Sequence, residues 1–183
     1  EQLSMALHNL ALQDRLRIQS IRDPLTGLFN RRYLEESLVR ELASCERRGL
    51  PLSVMMLDLD HFKAFNDLHG HAGGDALLAE FGQLLRTHAR AEDTACRYGG
   101  EEFTLILPEA GREAALECAA RLGEKVRHLH VHHLGKELPA VTVSVGIAVY
   151  RRGADDPEHL LRRADEALYR AKREGRDRAV CAD

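Results

Sequence analysis

The chain has 183 residues, and its 26 Lys and Arg against 29 Asp and Glu give a formal net charge of −3 with histidine neutral. This length predicts one domain with a full hydrophobic core and a short appendage, rather than two domains. A hydrophobic fraction of 44% excludes a disordered chain. The lack of a basic excess and the low aromatic content of 5% argue against a nucleic acid polymer as partner.

Four cysteines, at positions 45, 96, 118 and 181, are scattered without a Cys-x-x-Cys pair. This spacing argues against a disulfide framework and against a structural zinc site, and it favours a reducing cytoplasm. No apolar stretch is long enough to cross a bilayer, and the first residues lack the apolar core expected of a signal peptide. Because the sequence begins at Glu1, we expect an excerpt whose full-length protein carries an upstream sensor, receiver domain or membrane anchor.

The first 22 residues predict a helix, because they lack Gly and Pro and place Leu3, Leu7 and Leu10 at heptad spacing. Farther along, polar residues occupy the positions where this heptad spacing would require apolar ones. A coiled-coil-like signalling helix and a helix packed on its own domain therefore both stay open. We divide the chain into this N-terminal helix, residues 1–22, and a domain over residues 23–183.

The spacing of apolar residues predicts the elements of the domain. In order they are a helix over 30–48, a buried strand over 52–57 closed by Asp58, a helix capped by Asp75, strands over 94–98 and 101–107, a helix over 115–126, a strand over 141–149 and a helix from Asp156 to Gly175. Gly99 and Gly100 predict a tight hairpin turn with positive φ angles. This order is typical of an α+β sandwich with helices over one mostly antiparallel sheet.

Acidic residues stand at the ends of two predicted strands: Asp58 and Asp60 after the buried strand, and Glu101 and Glu102 after the hairpin glycines. A carboxylate at the end of a buried strand is poorly solvated, and clustered carboxylates suit Mg²⁺. Solvated turn acids are the alternative for the first pair. An EF-hand loop is excluded, because its sixth position, a glycine in that motif, is Lys63.

The usual phosphate-binding loops are absent, since the chain has neither Gly-x-x-x-x-Gly-Lys nor Gly-x-Gly-x-x-Gly. Gly99 and Gly100, next to Glu101, would let a phosphate approach the backbone closely, because no Cβ stands in the way. Read alone, the pair predicts only a hairpin. Any nucleotide must therefore be held by another arrangement.

Five motifs, taken together and in order, resemble those of GGDEF-domain diguanylate cyclases. They are DPLTGLFNRR at 23–32, DLDHFK at 58–63 with ND at 66–67, GH at 70–71 with GD at 74–75, RYGGEEF at 97–103, and ALYRAK at 167–172 with GR at 175–176. The resemblance covers residues 23 to about 178. It implies a GGDEF fold, similar to the nucleotide cyclase and polymerase palm, with an N-terminal helical stalk.

The resemblance implies a nucleotidyltransferase that condenses two GTP into cyclic di-GMP and releases two pyrophosphates. Asp58, Glu101 and the Leu59 carbonyl would bind Mg²⁺, two ions per GTP site, with Mn²⁺ able to substitute. Two metal ions about 4 Å apart stabilise the attacking and leaving oxygens of such a displacement. Glu101 or Glu102 would accept the proton of the attacking 3′-hydroxyl, and the sequence leaves the choice between them open.

By the same resemblance, Asn66 and Asp75 read the guanine, and Lys172 and Arg176 bind the β- and γ-phosphates. The chemistry fits, because a carboxylate accepts from the guanine N1–H and 2-amino groups. Spaced four apart at a helix end, the two cations should face the same way. The alternative for Asp75 is a helix N-cap. The alternative for Lys172 and Arg176 is that their charges only complement the helix dipole at its carboxyl end. The remaining expected substrate contacts are Phe62, Lys63, Gly99 and Gly100.

The spacing Arg90-Ala91-Glu92-Asp93 matches the Arg-x-x-Asp site through which cyclic di-GMP inhibits members of this family. Arg121 is a candidate third member of that inhibitory site. An Arg guanidinium forks onto guanine or phosphate, and Asp accepts from guanine, so both residue types suit a guanine dinucleotide. The alternative is an exposed ion pair of little energetic weight.

Because one domain holds one GTP, the resemblance implies a homodimer, with the helix over 1–22 as a lever between the two copies. The histidines over 128–133 predict a solvated loop rather than a metal site. Asp177 stands where relatives commonly have Asn. Two other functions stay open: a catalytically silent sensor of GTP or cyclic di-GMP, and an enzyme that makes or cleaves phosphodiesters of another nucleotide.

Overall fold

This computed structural model describes residues 20–183 together with Met5. The predicted helix over 1–22 lies outside the described residues, apart from Met5 and its last three positions. The strands are β1 (Phe29–Asn30), β2 (Leu52–Leu59), β3 (Thr94–Gly99), β4 (Glu102–Pro108), β5 (Val131–His133), β6 (Lys136–Leu138), β7 (Val143–Val149) and β8 (Ala179–Cys181). The helices are α1 (Arg31–Arg48), α2 (Phe62–His88), α3 (Arg112–Arg127) and α4 (Pro157–Arg173). None of the described helices is long and apolar enough to cross a membrane.

Six strands form one sheet in the order β1-β3-β4-β2-β7-β8, and β5 and β6 form a separate hairpin. The three central pairings are antiparallel, whereas β1 and β8 add to the two edges in parallel. The predicted α+β architecture with a mostly antiparallel sheet is therefore confirmed. Strand β2 lies between β4 and β7, which places its end in the middle of the sheet.

The helices cover both faces of the sheet, and all eight residues of β2 are buried between them. Successive side chains of a strand point to opposite faces. On one face Met55 and Leu57 pack with apolar residues of α2 and α3, and on the other Val54 and Met56 pack with those of α1 and α4. This two-sided burial explains why the sequence of β2 is an uninterrupted apolar run.

Helix α2 differs from the predicted helix at its start. It begins at Phe62 and is interrupted at Gly70, whose φ of 75° and ψ of 165° are not helical. Because the residues from His71 onward are already helical, Asp75 lies inside the helix, and its predicted role as N-cap is wrong. The break needs a positive φ, which glycine adopts without the steric cost of a Cβ.

The hairpin turn also differs from the prediction. Strand β3 runs to Gly99 and β4 starts at Glu102, so the turn is Gly100–Glu101 rather than Gly99–Gly100. A register shift between Arg97 and Gly99 inserts one extra residue into β3 and moves the turn along the chain. The predicted positive φ angles are wrong too, because neither glycine has one.

Candidate active site

The predicted metal-binding carboxylates meet where β2 ends beside the β3–β4 hairpin. Asp58 is paired in register with Glu102 of β4 on one side and with Ser144 of β7 on the other. The N–H of Leu59 donates to the carbonyl oxygen of Glu101 at 3.4 Å. The antiparallel pairing of β2 with β4 thus brings Asp58, Glu101 and Glu102 together from positions more than forty residues apart.

Lys172, near the end of α4, forms an ion pair with Asp58, with 2.8 Å between Nζ and Oδ2. Burial raises the pKa of Asp58 above its ordinary value, an effect that Lys172 opposes and that Glu101 reinforces. Burial, followed by the charge of Asp58, also raises the pKa of Glu102. Several carboxylates therefore share one cation, and the site favours a further positive charge.

The donor set fits Mg²⁺, which proteins commonly hold through one or two carboxylates, with waters and substrate phosphates completing the shell. Asp58 and Glu101 supply two such carboxylates. Among residues 20–183, no three His, Cys, Asp or Glu side chains converge as a metal cage would require. Two carboxylates leave the other positions of the shell to water and to substrate phosphates.

Asp60 has a different environment from Asp58, two residues earlier. Its side chain is buried and accepts hydrogen bonds from the hydroxyls of Thr142 at 2.6 Å and Ser144 at 2.7 Å. The backbone N–H of Asp177 adds a third bond at 3.0 Å. The carboxylate is therefore engaged with protein donors, and it is not the solvated turn acid that was the alternative.

Asn66 packs against Gly74, the residue before Asp75, so the parts of α2 on either side of Gly70 lie against each other. A Cβ placed on Gly74 would lie 2.8 Å from Asn66 Cγ, so the amide packs directly on this glycine. Asn66 Oδ1 is buried and has no hydrogen-bond partner among the described residues. Asp75 follows Gly74 and is exposed. An unpartnered amide oxygen beside an open carboxylate suits recognition of a polar ring edge.

The predicted phosphate-binding cations do not share a helix face. Helix α4 ends at Arg173, and Arg176 lies beyond it in the left-handed region, with a φ of 63°. The spacing argument for Lys172 and Arg176 is therefore wrong, because a spacing of four places two residues on one face only where both are helical. Both nevertheless belong to one short segment at the carboxyl end of α4. Lys63 is exposed in the first turn of α2, after the buried Phe62.

Arg97 supports the hairpin turn, and the residue-by-residue sequence reasoning missed it. Its Nε and Nη2 donate to the Gly100 carbonyl at 3.0 and 2.9 Å, and its Nη1 lies 3.2 Å from Asp23 Oδ1. Asp23 also accepts from the N–H and hydroxyl of Thr26. A Cβ on Gly100 would meet no atom within 4 Å, so the turn borders open space. The only sequence signal for this support was the place of these residues in the motifs.

The family model described as "Diguanylate cyclase, GGDEF domain" matches residues 20–178 of this chain. The chain belongs to the GGDEF-domain family. Response regulator PleD of Caulobacter vibrioides is 41% identical over 167 residues, which are 88% of this chain and 36% of that protein. Diguanylate cyclase DgcP of Pseudomonas aeruginosa is 42% identical over 182 residues, 100% of this chain and 26% of that protein. The chain thus spans about a third or less of these relatives.

Solved structures of GGDEF domains share this fold. The coiled coil and GGDEF domain of DgcB from Caulobacter crescentus, in complex with c-di-GMP, gives a TM-score of 0.92 at 30% identity and covers 99% of this chain and 95% of that one. Diguanylate cyclase SiaD from Pseudomonas aeruginosa, in complex with its activator SiaC, gives 0.86 at 40% identity and covers 99% and 68%.

The GGDEF domain also brings the three predicted inhibitory-site residues together. Arg90, Asp93 and Arg121 line a cavity of about 140 Å³, with His88 and Cys118 between them. Arg90 Nη2 lies 2.9 Å from Asp93 Oδ1 and donates to the Pro108 carbonyl at 3.1 Å. The Asp93 side chain is only 2% exposed and that of Arg90 is 51% exposed, so one partner of the ion pair is buried and the other is open to solvent. Hydrogen bonding to Asp93 raises the pKa of Arg90.

A larger groove of about 680 Å³ lies between α1, α4 and the hairpin of this GGDEF domain. Arg31, Tyr98, Glu102 and Asp165 are among its lining residues. The sequence reasoning did not find it, because it forms between elements that are distant in the chain. The groove lies on the face of the sheet to which Met56 points, and Asp58 and its partner Glu102 share that face.

The histidine-rich segment was predicted as a loop, and that prediction is wrong in part, because Val131–His133 is strand β5. β5 pairs with β6, and His130 Nδ1 contacts the Glu137 carboxylate across this hairpin. The hairpin packs on α2, since a Cβ on Gly73 would lie 3.8 Å from Leu138 and 3.9 Å from His133. Its place in the GGDEF domain is therefore next to Gly74 and Asp75 of α2.

Proposed function

We propose that this GGDEF domain condenses two GTP molecules into cyclic di-GMP and releases two pyrophosphates. The register pairing of Asp58 with Glu102, with Glu101 in the adjoining turn, carries this proposal. It gathers carboxylates at the end of a buried strand, where a cation and a triphosphate would meet. Diguanylate cyclase DgcP of Pseudomonas aeruginosa, which is 42% identical to this chain, supports it.

Asp58, Glu101 and the Leu59 carbonyl would hold the two Mg²⁺ ions of each GTP site, or Mn²⁺ in their place. When bound, such ions acidify a hydroxyl and neutralise charge on the reacting phosphate. Glu101 and Glu102 are the candidates to accept the proton of the 3′-hydroxyl. Both residues belong to a hairpin whose turn is held by the hydrogen bonds of Arg97 to the Gly100 carbonyl.

The remaining residues orient the nucleotide. Asn66 and Asp75 would hydrogen-bond the guanine edge, which would give the unpartnered Asn66 Oδ1 a partner. Lys172 pairs with Asp58 here, and nucleotide binding would let its ammonium move to the β- and γ-phosphates. The other contacts in this proposal are Arg176, Lys63, the backbone of Phe62, and the open backbone of Gly99 and Gly100.

A product made from two GTP requires two half-sites, so the active form is a homodimer. The helix over 1–22 would join the two copies and transmit signals from an upstream sensor or receiver domain. Deleting residues 1–22 should weaken dimerisation in analytical ultracentrifugation and lower activity at equal concentration. Unchanged dimerisation and activity would show that the domain over 23–183 needs no such lever.

We further infer that cyclic di-GMP binds at Arg90, Asp93 and Arg121 and inhibits the enzyme. The support is their common cavity and the half-exposed Arg90 guanidinium, which the buried Asp93 carboxylate holds in place. The DgcB structures in complex with c-di-GMP show that a GGDEF domain of this fold binds the dinucleotide.

The test of the function is to incubate the protein with GTP and Mg²⁺, after stripping any bound product, and to separate the products by chromatography. We expect cyclic di-GMP and pyrophosphate, and at least a 100-fold loss in Glu101→Ala, the scale typical of a removed transition-state group. Glu36→Ala, an exposed glutamate of α1, is the matched control. GTP binding without product would favour the silent sensor, and another nucleotide product would favour the third function.

A further inference from the structure

We propose that Asp60 is a positioning residue, whose buried carboxylate fixes the turn Gly175–Asp177 and thereby presents the Arg176 side chain to the triphosphate. The proposal rests on the function proposed above and deepens it. It assigns Asp60 a task distinct from that of Asp58: Asp58 faces the reacting groups, and Asp60 holds the backbone that carries one of the phosphate-binding cations.

The turn Gly175–Asp177 has an unusual backbone. Its three residues have consecutive positive φ angles of 120°, 63° and 46°. Arg176 and Asp177 are the only adjacent pair of non-glycine residues with positive φ among residues 20–183. Such angles are disfavoured for residues with a Cβ, and they persist only where the surroundings hold them. The turn therefore needs fixed contacts on its own backbone or side chains.

Asp60 supplies the inner contact. Its Oδ2 accepts from the Asp177 N–H at 3.0 Å and from the Thr142 hydroxyl at 2.6 Å, and its Oδ1 accepts from the Ser144 hydroxyl at 2.7 Å. The residue is 5% exposed, and its own N–H donates to the Thr142 carbonyl at 2.9 Å. Hydrogen bonds to a charged acceptor are short and strong, so the Asp177 backbone is tied to the centre of the sheet.

Two further contacts complete the frame around Arg176. The Asp177 carboxylate meets the Arg127 guanidinium of α3, at 3.0 Å from Nε to Oδ2 and 2.9 Å from Nη2 to Oδ1. The Arg176 N–H donates to the Ala171 carbonyl at 3.0 Å, which joins the turn to the end of α4. The backbone of Arg176 is thus held on both sides while its side chain is exposed.

The hydrogen bonds also argue against Asp60 as a metal ligand. Each carboxylate oxygen accepts about two hydrogen bonds, and Oδ2 already has two donors from the protein. A ligand role would have to use the remaining acceptor site of Oδ1, which already accepts from Ser144, on a residue that is only 5% exposed. The two roles predict different results, because a ligand changes the Mg²⁺ dependence of nucleotide binding and a positioning residue changes affinity for the β- and γ-phosphates.

The experiment measures, by isothermal titration calorimetry with Mg²⁺, binding of GMP and of a GTP analogue that resists cleavage at the α-phosphate. Asp60→Ala should weaken binding of the triphosphate about tenfold and leave GMP within twofold. Asp60→Asn, whose amide oxygen can still accept from Asp177, should restore most of the loss. The Mg²⁺ concentration for half-maximal binding should not change in any of these variants.

Arg127→Ala removes the contact of α3 with the Asp177 carboxylate at a partly exposed site. This variant tests the proposal if Asp60→Ala fails to fold. It should weaken binding of the triphosphate two- to threefold and leave GMP unchanged. Arg112→Ala, at the other end of α3, is the matched control and should change neither. Equal losses for both nucleotides in a folded variant, a shifted Mg²⁺ dependence, or no selective loss in either variant would overturn the proposal. A wild-type protein that binds the analogue no more tightly than GMP would instead refute the phosphate role of Arg176.

Discussion

At the scale of single residues, the site concentrates negative charge where water is scarce. Burial raises the pKa of both Asp58 and Glu102, and Lys172 is the cation that opposes this effect. Such perturbed carboxylates are typical of functional sites, since a structure selected for stability alone would avoid them. Asp58 is therefore expected to reduce the stability of the ligand-free fold.

Asp58→Asn should stabilise the protein at pH 7.5 and have progressively less effect as the pH falls toward 4. The pKa of Asp58 is raised in the folded state, so folding favours the protonated form. Below the unfolded-state pKa, Asp58 is protonated in both states and does not destabilise the fold. As the pH rises through the folded-state pKa, its buried carboxyl ionises and the free energy of unfolding falls. Asparagine keeps the shape without the charge. Urea unfolding in metal-free buffer measures the difference.

Asp67→Asn, on an exposed position of α2, is the matched control for this experiment. It removes one carboxylate without removing a buried charge, so its effect at pH 7.5 should be smaller than that of Asp58→Asn. Lower stability of Asp58→Asn at pH 7.5 would contradict the prediction. It would mean that the ion pair with Lys172 outweighs the cost of burying the carboxylate.

Arg90→Ala should keep the initial rate in the absence of product and raise the inhibition constant of cyclic di-GMP at least about tenfold. The variant loses a charged fork, and a hydrogen bond to a charged group contributes about 1.5–3 kcal/mol. Initial rates with added cyclic di-GMP measure the change. Arg86→Ala, at an exposed position of α2, is the control. Inhibition of Arg90→Ala at the wild-type level would remove the inhibitory assignment.

At the scale of elements, the packing of α4 on β7 decides whether Lys172 reaches Asp58. Gly146 of β7 lies against the backbone of α4, because a Cβ there would overlap Ala164 and lie 2.7 Å from Leu168 Cα. Helix and strand can approach this closely only where the side chain is a hydrogen atom. The position of the carboxyl end of α4 over the site follows from this contact.

Gly146→Ala should destabilise the domain by about 3 kcal/mol or more, because the clash is with backbone that cannot rotate away. Gly123→Ala in α3 is the matched control, since a Cβ there would meet no atom within 4 Å. It should stabilise by about 0.5–1 kcal/mol, the usual gain of alanine over glycine within a helix. Thermal and urea unfolding measure both, and a neutral Gly146→Ala would contradict the packing argument.

The elements that the sequence predicted well carry their own periodic signal. Helices α1, α3 and α4 have apolar stripes, and Asn30 and Asp156 cap α1 and α4 with side-chain hydrogen bonds. The first turns of α2 have no such stripe, and Gly70 interrupts the pattern. Strands β1 and β8 have two and three residues, too short for an alternation to show. Their positions depend on pairing with distant strands.

The candidate site was predictable as a list of residues but not as an arrangement. Asp58 and Glu101 were found from their positions at strand ends and from the motifs. The turn that carries Arg176, and the buried bonds of Asp60, depend on contacts across more than eighty residues of sequence. Local spacing contains no information about such contacts. This is why helical spacing gave a wrong orientation for Arg176.

At the scale of the whole molecule, the net charge of −3 conceals an uneven distribution. Carboxylates gather where β2 meets the β3–β4 hairpin. Two arginines, Arg90 and Arg121, line the cavity of about 140 Å³. In the proposed function, one domain supplies one carboxylate cluster and one Asn66–Asp75 pair, which would hold one GTP. Joining two GTP molecules would then require two domains that face each other, and the rate should depend on how often they meet.

The most direct test of the central claim is the rate of cyclic di-GMP formation per chain, measured across protein concentrations that span the monomer–dimer transition. Sedimentation of the same samples gives the dimer fraction. Two half-sites predict that the rate per chain rises in proportion to that fraction and approaches zero for the monomer. A rate per chain that stays constant where the protein is monomeric, or no cyclic di-GMP at any concentration, would contradict the account.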